Sequence, residues 1–506
     1  MNHQSGNDSE KKIAVYYDGR CPMCTSIINM IDDSPKAAKF SIRDIRKESL
    51  PQAFTKQDVE KEIHVVADGK IYKNAEAILK ILEEYPAWKF LVWIGRLPLI
   101  KEILRIGYKF VCANRHFLFG PATRIYWLKV VIGFGFIFGL LLSVKLWLSS
   151  RFYPPTPILN IFPSIPYPIE WIIPLVLICL LVATILSSEP KPLIWSSVAV
   201  VSLLAFLDQQ RLQPWVYQYA FMLGTLGLFS WKWDDSEGKN ATLNACRFIV
   251  ASIYFWSGLQ KVNLEFMRSV FPWMVGPIAQ LFPASVQPAF YVFGLLVPFI
   301  EIAIGVGLLT RTFRNSAIWL ALGICVFVLW AIGPFGHDRN RVVWPWNITM
   351  AILVVILFVK TKNVPLSQIL WVRNYAFHKV ILVVFGLMPL FYFFNVWDSY
   401  LSWALYSGTT NKSAIYVSDH VKKRLPNYIR QFVQIDGGGR NFISISRWAF
   451  TELHVPPYPE SRIFKSVAKS ICRAASDPQE VVLVMRGRLS WFYREGQQVL
   501  NCAQLN

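Results

Sequence analysis

Two cysteines near the start of the chain have the residue type and spacing that most directly indicate chemistry. Cys21 and Cys24 stand in the stretch YYDGRCPMCTSII, immediately after a short apolar run. At the start of a helix, two thiols at this spacing face the same way. The helix dipole and the unpaired N–H groups lower the pKa of the first thiol. Cys21 would then attack a disulfide and Cys24 would resolve the intermediate, so the spacing predicts thiol–disulfide exchange.

Two other uses of the pair stay open at this point. A zinc site needs two more ligands, but this part of the chain has no second Cys-x-x-Cys, no Cys-x-x-His and no His-x-x-x-His, and His64 and His116 are isolated. We therefore predict no metal, and ordinary buried cysteines are the remaining alternative. Asp18 either orients the turn or accepts a proton from the resolving thiol, and a plain Asp-Gly turn would also explain it.

Ionisable residues inside or at the ends of apolar segments are candidates for function. If the N-terminus is cytoplasmic and about nine helices cross the membrane, the Asp208 turn, Lys261 and the His337 turn meet at one membrane face. This predicts a polar pocket opening outward. The predicted substrate-binding residues are Asp208, Arg211, Trp215, Tyr254, Trp256, Glu301, His337, Arg339 and Trp346.

Lys261 is the strongest candidate for chemistry in the membrane part. It ends an apolar segment with Tyr254, Phe255 and Trp256 upstream. Such surroundings lower the pKa of a lysine, as a catalytic base requires. The alternative is a lysine that snorkels to the membrane interface.

The thiol pair requires a small α/β domain to position it. Residues 11–122 predict one, and residues 1–10 predict a disordered tail. KIAVYYDG predicts a strand, CPMCTSIINMIDD a helix beginning at the cysteines, and AKFSIRDI a second strand. EIHVVADGKIYKNAEAILKILEEY predicts two further strands joined by an Asp-Gly turn, then an amphipathic helix. This element order is typical of a thioredoxin-like domain.

Residues 123–397 predict a helical membrane domain of about nine spans. The cytoplasmic N-terminus then places the C-terminus outside, and the Lys and Arg residues of the loops are moderately biased toward the inner side. The predicted spans are 126–149, 170–188, 192–207, 214–231, 243–263, 287–309, 315–333, 345–361 and 380–397.

Residues 398–506 are polar again and predict a small, strand-rich domain outside the cytoplasm. Its two cysteines, Cys472 and Cys502, are predicted either to form a disulfide there or to stay unpaired.

Composition supports a membrane protein. The chain of 506 residues is 54% hydrophobic and only 17% charged, with a net charge of +20. Many basic residues flank apolar segments, so topology and anionic lipid explain the excess better than nucleic acid. The polar start MNHQSGNDSEKK has no apolar signal-peptide core. We expect an integral protein of the bacterial inner membrane with a cytoplasmic N-terminal domain.

The N-terminal motifs resemble a known family. YYDGRCPMC, NAEAILKIL and IGYKFVCANRHFLFG look like the DCC family of thiol-disulfide oxidoreductases, named for an Asp and two Cys that fall on Asp18, Cys21 and Cys24. The resemblance implies a thioredoxin-like fold and a redox activity. One departure is that EIHVVADG offers no counterpart to the proline that faces the cysteines in thioredoxins.

A second resemblance concerns residues 120–400. IYFWSGLQKVNLEF is similar to a stretch of vitamin K-dependent γ-carboxylase and its bacterial (HTTM-type) transmembrane relatives with the form Tyr-Phe-x-x-Gly-x-x-Lys-Leu. The resemblance places on Lys261 the role of the base that deprotonates the reduced vitamin. However, Gln260 replaces a second lysine, and the C-terminal segment is too short for the carboxylase's propeptide-binding portion. The resemblance therefore implies a quinone-like or other lipophilic redox substrate rather than carboxylation of protein glutamate.

Three functional hypotheses follow. The first is a membrane oxidoreductase that couples the thiol domain to a membrane domain acting on a quinone-like substrate. The second is a membrane enzyme centred on Lys261 with the thiol domain as a redox sensor. The third is a non-enzymatic transport or assembly protein. The expected partners are the bilayer, a lipophilic quinone and a protein thiol or disulfide. The one cofactor candidate is a quinone of the vitamin K type.

Overall fold

The chain folds into two compact units, residues 1–126 and 127–506. The predicted tail 1–10 and the stretch NRHFLFG at 114–120 lie outside the described residues. The computed structural model describes residues 13–19, 21–32, 34–47, 51, 55, 58–59, 62–113, 123–159, 165–228, 231, 236–359, 361, 364–370, 376–488 and 496–505.

The N-terminal unit is built on a mixed four-stranded sheet of order β2-β1-β3-β4. β1 pairs in parallel with β2 and antiparallel with β3, which pairs antiparallel with β4. The predicted α/β class is confirmed. The strands are β1 (Ile13–Tyr17), β2 (Phe40–Asp44), β3 (His64–Ala67) and β4 (Lys70–Lys73), and the helices are α1 (Pro22–Asp32), α2 (Asn74–Glu83), α3 (Lys89–Gly95) and α4 (Pro98–Ala113).

Sequence periodicity explains the core of this unit. Val15 and Val65 are fully buried on neighbouring strands, and Ala77 and Ile81, four residues apart on α2, join the same cluster. β3 and β4 are joined at Asp68 and Gly69, both with positive φ (52° and 72°). Positive φ at both positions suits a two-residue hairpin turn, as the Asp-Gly pair predicts.

The second unit opens with a helical body, whose first helix begins just before the unit boundary. Its last helix, α17, continues as a π-helical and then a 3₁₀ segment to Phe394. The helices described are α5 (Thr123–Leu142), α6 (Val144–Trp147), α7 (Ile169–Leu186), α8 (Lys191–Leu207), α9 (Pro214–Leu228), α10 (Ser236–Gln260), α11 (Phe271–Ala279), α12 (Gln287–Phe293), α13 (Val297–Leu309), α14 (Arg314–Ile332), α15 (Val343–Phe358), α16 (Leu366–Leu370) and α17 (Ala376–Ile381).

Several of these helices have the dimensions of membrane spans. The pair α12 and α13 is bent by 41° and adds a further span if it crosses as one broken helix. Within the described residues the count is therefore four, or five with this pair, which is consistent with a membrane protein. The four are Arg124–Leu142, Ile169–Leu186, Arg314–Ile332 and Ala376–Phe394.

Nine crossings, as predicted from the sequence, are not shown. Helices occupy the other predicted spans, but α8, α9 and α15 have 17, 15 and 16 residues. A helix needs about 20 residues to cross the hydrocarbon core at a rise of about 1.5 Å each. α10 is long enough at 25 residues, but it begins with the polar run SEGKN.

The C-terminal part contains a five-stranded antiparallel sheet of order β6-β7-β5-β8-β9, so the predicted strand-rich character is confirmed. Ile415, Leu483 and Trp448 are fully buried in this part of the chain. Its strands are β5 (Lys412–Val417), β6 (Val433–Ile435), β7 (Asn441–Ser444), β8 (Val481–Arg486) and β9 (Gln497–Asn501), and its helices are α18 (Asp419–Arg424), α19 (Asn427–Arg430), α20 (Ile445–Leu453) and α21 (Ser461–Cys472).

A disulfide closes this part of the chain. It joins Cys472, at the end of α21, to Cys502, directly after β9, with the two Cα atoms 5.8 Å apart. The bridge thus ties the outermost strand of the sheet to the longest helix that packs on it.

Side-chain hydrogen bonds attach the C-terminal part to the helical body. Gln210 accepts the backbone N–H of Tyr458 at 2.8 Å, and Arg462 donates to the Gln209 side chain at 2.8 Å. The Glu452 carboxylate accepts the backbone N–H of Phe152. These contacts explain why residues 127–506 form one compact unit rather than two.

Candidate functional site

The thiol pair lies at the start of α1. Cys21 immediately precedes the helix, and its Sγ accepts a hydrogen bond from the backbone N–H of Cys24 at 3.4 Å. The N–H of Cys21 itself donates to the Asp18 carbonyl at 2.8 Å. A helix N-terminal N–H group directed at sulfur stabilises the thiolate over the thiol. This contact suits the role of nucleophile that the sequence predicts for Cys21, and Cys24, the predicted resolving thiol, lies one turn away.

Aromatic side chains surround both thiols. Cys21 and Cys24 are each 1% exposed, and Tyr17 and Tyr108 pack against them. The Tyr108 hydroxyl accepts the backbone N–H of Ile63 at 3.2 Å, which ties α4 to the start of β3 beside the sulfurs. Burial, followed by the charges of Asp44 and other nearby acidic groups, raises the pKa of Tyr17. Tyr17 thus stays a neutral phenol next to the pair.

Asp18 holds the turn before the cysteines. Its carboxylate accepts two hydrogen bonds from Arg46, at 2.9 and 3.2 Å. Asp44 accepts the backbone N–H groups of Gly19 at 3.1 Å and of Arg46 at 3.0 Å. A Cβ at Gly19 would lie 2.2 Å from an Asp44 carboxylate oxygen, so any larger residue here would displace the Asp44 side chain. The contacts favour the orienting role for Asp18 over the proton-accepting one.

The sequence analysis missed four residues of this site: Tyr17, Asp44, Arg46 and Tyr108. Tyr17 and Tyr108 do stand inside the stretches YYDGRCPMC and IGYKFVC. Asp44 is the last residue of β2, and Arg46 lies two residues further along the chain. The parallel pairing of β1 with β2 places the ends of both strands side by side. A parallel pairing of the two predicted strands was therefore the signal that could have located Asp44 and Arg46 beside the thiols.

A strand of a mixed sheet that leads into Cys-x-x-Cys at a helix start is typical of thiol-disulfide oxidoreductases. Residues 15–121 match the family of DCC1-like thiol-disulfide oxidoreductases, and the match includes Asp18, Cys21 and Cys24. The match supports a redox function for this domain. No curated protein and no solved structure matches the chain. The resemblance of residues 120–400 to the carboxylase therefore gains no support from these comparisons.

A second candidate site lies in the helical body, where Lys261 forms a buried ion pair. Its Nζ is 2.6 Å from Oε2 of Glu301 on α13, and it also donates to Oγ of Ser257 at 2.5 Å. Lys261 is 7% exposed and Glu301 6%. The sequence predicted a lysine in apolar and aromatic surroundings, and the structure adds a carboxylate that neutralises its charge.

Two glycines allow the helices that hold this pair to approach closely. A Cβ at Gly258 on α10 would lie 2.6 Å from the Pro298 carbonyl oxygen, and a Cβ at Gly305 on α13 would lie 2.7 Å from that of Ala251. Each glycine therefore accommodates the backbone of the other helix, as small residues do in membrane helix packing. The close contact places Lys261 opposite Glu301.

The ion pair faces a mainly apolar cavity of about 110 Å³. Tyr254 and Trp346 line it, as does Tyr406 from the C-terminal part of the chain. An engineered apolar cavity of ~150 Å³ in another protein binds benzene. The cavity of this protein is somewhat smaller than that, and a cation and an anion lie at its wall.

Of the predicted substrate-binding residues, the structure gathers three around Lys261. These are Tyr254, Glu301 and Trp346. The Tyr254 hydroxyl is 3.4 Å from Sγ of Cys325, and the Trp346 indole donates to Gln218 at 2.7 Å. Trp256 is buried nearby on α10, but its indole donates to the Phe385 carbonyl at 2.9 Å and it is not part of the cavity lining.

The Asp208 turn differs from its prediction as part of an outward-opening pocket. Asp208 forms a fully buried ion pair with Arg151 and accepts the N–H of Thr156 at 3.1 Å. Arg211 donates to the carbonyls of Leu146, Trp147 and Leu204. The Arg211 guanidinium thus bonds backbone carbonyls. In addition, the C-terminal part of the chain covers this turn, so within the described residues no pocket opens outward here. Trp215 packs in a ring cluster with Phe136, Trp147 and Tyr219.

The His337 turn is also separate from the Lys261 cavity. His337 Nε2 is 2.6 Å from the Trp273 carbonyl oxygen, and its ring stacks on the Trp273 indole. Arg339 is exposed and lines a different, wider groove together with residues of α20. The three predicted sets of residues are thus divided among three environments.

The sequence analysis missed the aromatic wall that residues 398–506 supply to the cavity. Trp403 and Tyr406 both line it, and both have positive φ, 63° and 57°. Bulky residues rarely adopt this conformation, and such strain persists only where surrounding contacts impose it. Asn263, just after α10, donates to the Ser407 carbonyl at 2.9 Å and holds this segment. No group of three metal-ligand side chains occurs among the described residues.

Proposed function

We propose that the chain is an integral membrane thiol-disulfide oxidoreductase. Its thioredoxin-like N-terminal domain exchanges electrons through Cys21 and Cys24, and its helical body binds a quinone-type lipophilic molecule at Lys261. The observation that carries the proposal is the hydrogen bond from the Cys24 N–H to Cys21 Sγ at a helix start. The similarity of residues 15–121 to DCC1-like oxidoreductases supports it.

Sheet topology supports the thioredoxin-like assignment. A parallel β1-α1-β2 unit is followed by the β3-β4 hairpin and α2, in the sheet order β2-β1-β3-β4. This arrangement places the loop after β1, and therefore the thiol pair, at the carboxyl end of a central strand.

The proposed exchange proceeds in two displacements. The Cys21 thiolate attacks one sulfur of a protein disulfide, that S–S bond breaks, and the second substrate sulfur leaves as a thiolate that takes up a proton. The Cys24 thiolate then attacks Cys21 Sγ, which forms the Cys21–Cys24 disulfide and releases the substrate as a dithiol. The substrate gains two electrons and the domain loses two. The reverse sequence oxidises a dithiol.

A quinone is a suitable carrier for these two electrons. Oxidation of a quinol to a quinone releases two electrons and two protons, which balances reduction of one disulfide to two thiols. The Lys261 ammonium and the Ser257 hydroxyl are positioned at the cavity wall to hydrogen-bond a ring oxygen. Glu301 is positioned to accept a proton from a ring hydroxyl.

A second candidate function is favoured by the burial of the Lys261–Glu301 pair at the wall of the cavity. Here the membrane part performs its own proton-transfer chemistry, with Lys261 as the base, and the thiol domain acts as a redox sensor. The two candidates predict different results when the cysteines are removed, because only the first requires them for turnover.

We further propose that the thiol domain is cytoplasmic and that residues 398–506 lie outside the membrane of a bacterial cell. A span of about 20 residues rises about 30 Å. Electrons that pass between Cys21 and the Lys261 end of α10 then require a mobile carrier. Impermeant thiol reagents test this placement on intact cells, with a cysteine introduced at the exposed Lys70 of β4 as one site and a cysteine introduced at Val262 as the other. Labelling of both from the same side would reject it.

The redox proposal is tested on the full chain in detergent with a disulfide-containing peptide as substrate. Cys21→Ser is expected to abolish exchange, whereas Cys24→Ser is expected to accumulate a mixed disulfide on Cys21. Cys179→Ser is the matched control, since this exposed cysteine lies on α7. Unchanged exchange in Cys21→Ser would reject the assignment.

The cavity proposal is tested by mass spectrometry of molecules extracted from the purified protein. We expect a quinone to copurify with the unaltered chain and to be lost from the pair replacement Lys261→Met with Glu301→Leu. A quinone retained in the replacement would place its site elsewhere. If only phospholipid copurified with both samples, the result would contradict a quinone as the molecule bound in the cavity.

A further inference from the structure

A wide groove separate from both candidate sites lies between the α14–α15 turn and α20. Its volume is about 700 Å³, within the range of ligand pockets, roughly 300–1,000 Å³. One set of lining residues, Asp338 to Arg341, comes from the turn between the helices. The other, from Ser444 to His454, comes from the end of β7, from α20 and from its C-terminal cap.

The groove is strongly basic. Arg339, Arg341 and Arg447 line it, against a single carboxylate, Asp338. Asp338 is 3.0 Å from Arg341 and so is already paired. The Arg339 and Arg447 side chains form no hydrogen bond or ion pair within the described part of the chain. Two guanidinium groups thus line the groove without an ion-pair partner among the described residues.

The groove also presents neutral hydrogen-bonding groups. Ser446 and Thr451 line it through hydroxyls, and His454 is held by a contact of 3.3 Å between its Nδ1 and the Leu142 carbonyl oxygen. Guanidinium forks and hydroxyl donors together match the oxygen atoms of a phosphate group. A carboxylate has fewer acceptor oxygens than a phosphate to bind the several donors that line the groove.

The turn that supplies Arg339 and Arg341 is rigid. Its backbone N–H groups at Asp338 and Arg339 donate to Gly333 at 3.0 Å and Ile332 at 3.1 Å. The Asn340 side chain donates to the Tyr406 hydroxyl at 3.0 Å. The two arginines therefore lie on a hydrogen-bonded turn just beyond the end of α14, a helix long and apolar enough to cross a membrane.

We propose that this groove binds the phosphate of an anionic ligand, and that the ligand is the headgroup of an anionic phospholipid. Position selects the lipid over a soluble phosphate, because arginines directly after a spanning helix lie at the level of the headgroups. The proposal is independent of the thiol chemistry and of the Lys261 cavity. The groove and the cavity share no lining residue.

Lipid titration of the purified full-length protein, followed by native mass spectrometry, tests the proposal. The probes are phosphatidylglycerol, phosphatidylcholine and inorganic phosphate. We expect phosphatidylglycerol to bind more tightly than phosphatidylcholine, and Arg339→Gln with Arg447→Gln to weaken it about tenfold or more. Both arginines are exposed and unbonded, so their replacement leaves folding unchanged.

The matched control is Arg473→Gln with Lys465→Gln, which removes two exposed charges from α21 and the residue that follows it. This variant is expected to bind phosphatidylglycerol as the unaltered chain does. Competition by inorganic phosphate at comparable concentration would show that the groove takes a free phosphate rather than a lipid. Equal weakening in both double variants, or none in Arg339→Gln with Arg447→Gln, would overturn the assignment.

Discussion

Nζ of Lys261, directly after α10, lies 2.6 Å from Oε2 of Glu301 on α13, and the two residues meet at the wall of an apolar cavity. A buried ion pair is costly to break on one side only, because the remaining charge has no partner. Replacement of both members by apolar residues of similar size removes that penalty.

We therefore expect Glu301→Leu alone to lower the free energy of unfolding by about 3–5 kcal/mol, and the pair Lys261→Met with Glu301→Leu to recover most of the loss. Thermal unfolding of the detergent-solubilised protein measures both. Additive losses in the pair replacement would contradict a coupled ion pair.

The contact between α10 and α13 gives a second prediction. Gly258→Ala is expected to destabilise the helical body by about 1–3 kcal/mol, the range for overpacking of a tight contact. The obstructing atoms at 2.6 and 2.7 Å are backbone atoms of Pro298 and Ile302, which cannot rotate away. Gly323→Ala on α14 is the control, since nothing lies within 4 Å of its added Cβ. Helix propensity makes this control neutral or slightly stabilising. Equal unfolding temperatures for the two variants would argue against close packing.

The turn before the thiols gives a third prediction. Asp18→Asn and Arg46→Gln are each expected to slow disulfide exchange, because both remove the same bidentate contact. A misplaced catalytic group costs up to about 100-fold in rate. The double replacement is expected to be no slower than the worse single one. Multiplicative losses would instead give the residues separate roles. Arg105→Gln, in an exposed pair on α4, serves as the control.

Acid stability of the C-terminal part gives a fourth prediction. Glu480 accepts the backbone N–H groups of Ser476 and Asp477 and lies 2.8 Å from His420. These contacts lower its pKa to about 2 from 4.5. A folded-state pKa below the unfolded one stabilises the fold above about pH 4.5, and this stabilisation is lost as the pH falls toward 2.

Glu480→Gln is therefore expected to flatten the dependence of stability on pH in this window and to leave the remainder of the profile unchanged. Hydrogen exchange of peptides from β5 and β8 at successive pH values measures the effect. The same slope in variant and unaltered protein would contradict the assigned contacts.

The sequence predicted the local structure around the thiols well because its signals are local. A strand, an Asp-Gly turn and two cysteines three residues apart are contiguous, so periodicity and turn chemistry were enough. The Arg46 partner of Asp18 was missed because it follows a different strand. Only the pairing of β1 with β2 brings it near.

Prediction was weaker in the membrane part, for a physical reason. Lys261, Glu301 and Asp208 are all charges beside apolar runs, and the sequence treats them alike. The structure pairs the first two at the wall of a cavity and buries the third against Arg151. Whether a charged residue lines a cavity or forms a buried structural ion pair depends on helix contacts and on the C-terminal part that covers the Asp208 turn. Neither of these can be predicted from the local spacing of residues.

Trp403 and Tyr406 wall the cavity although the chain reaches them only after all the described spanning helices. During synthesis, Lys261 and Glu301 leave the ribosome before residues 403–406 do. The wall of the cavity is therefore complete only once translation has passed residue 406, and a product terminated earlier lacks this part of the wall.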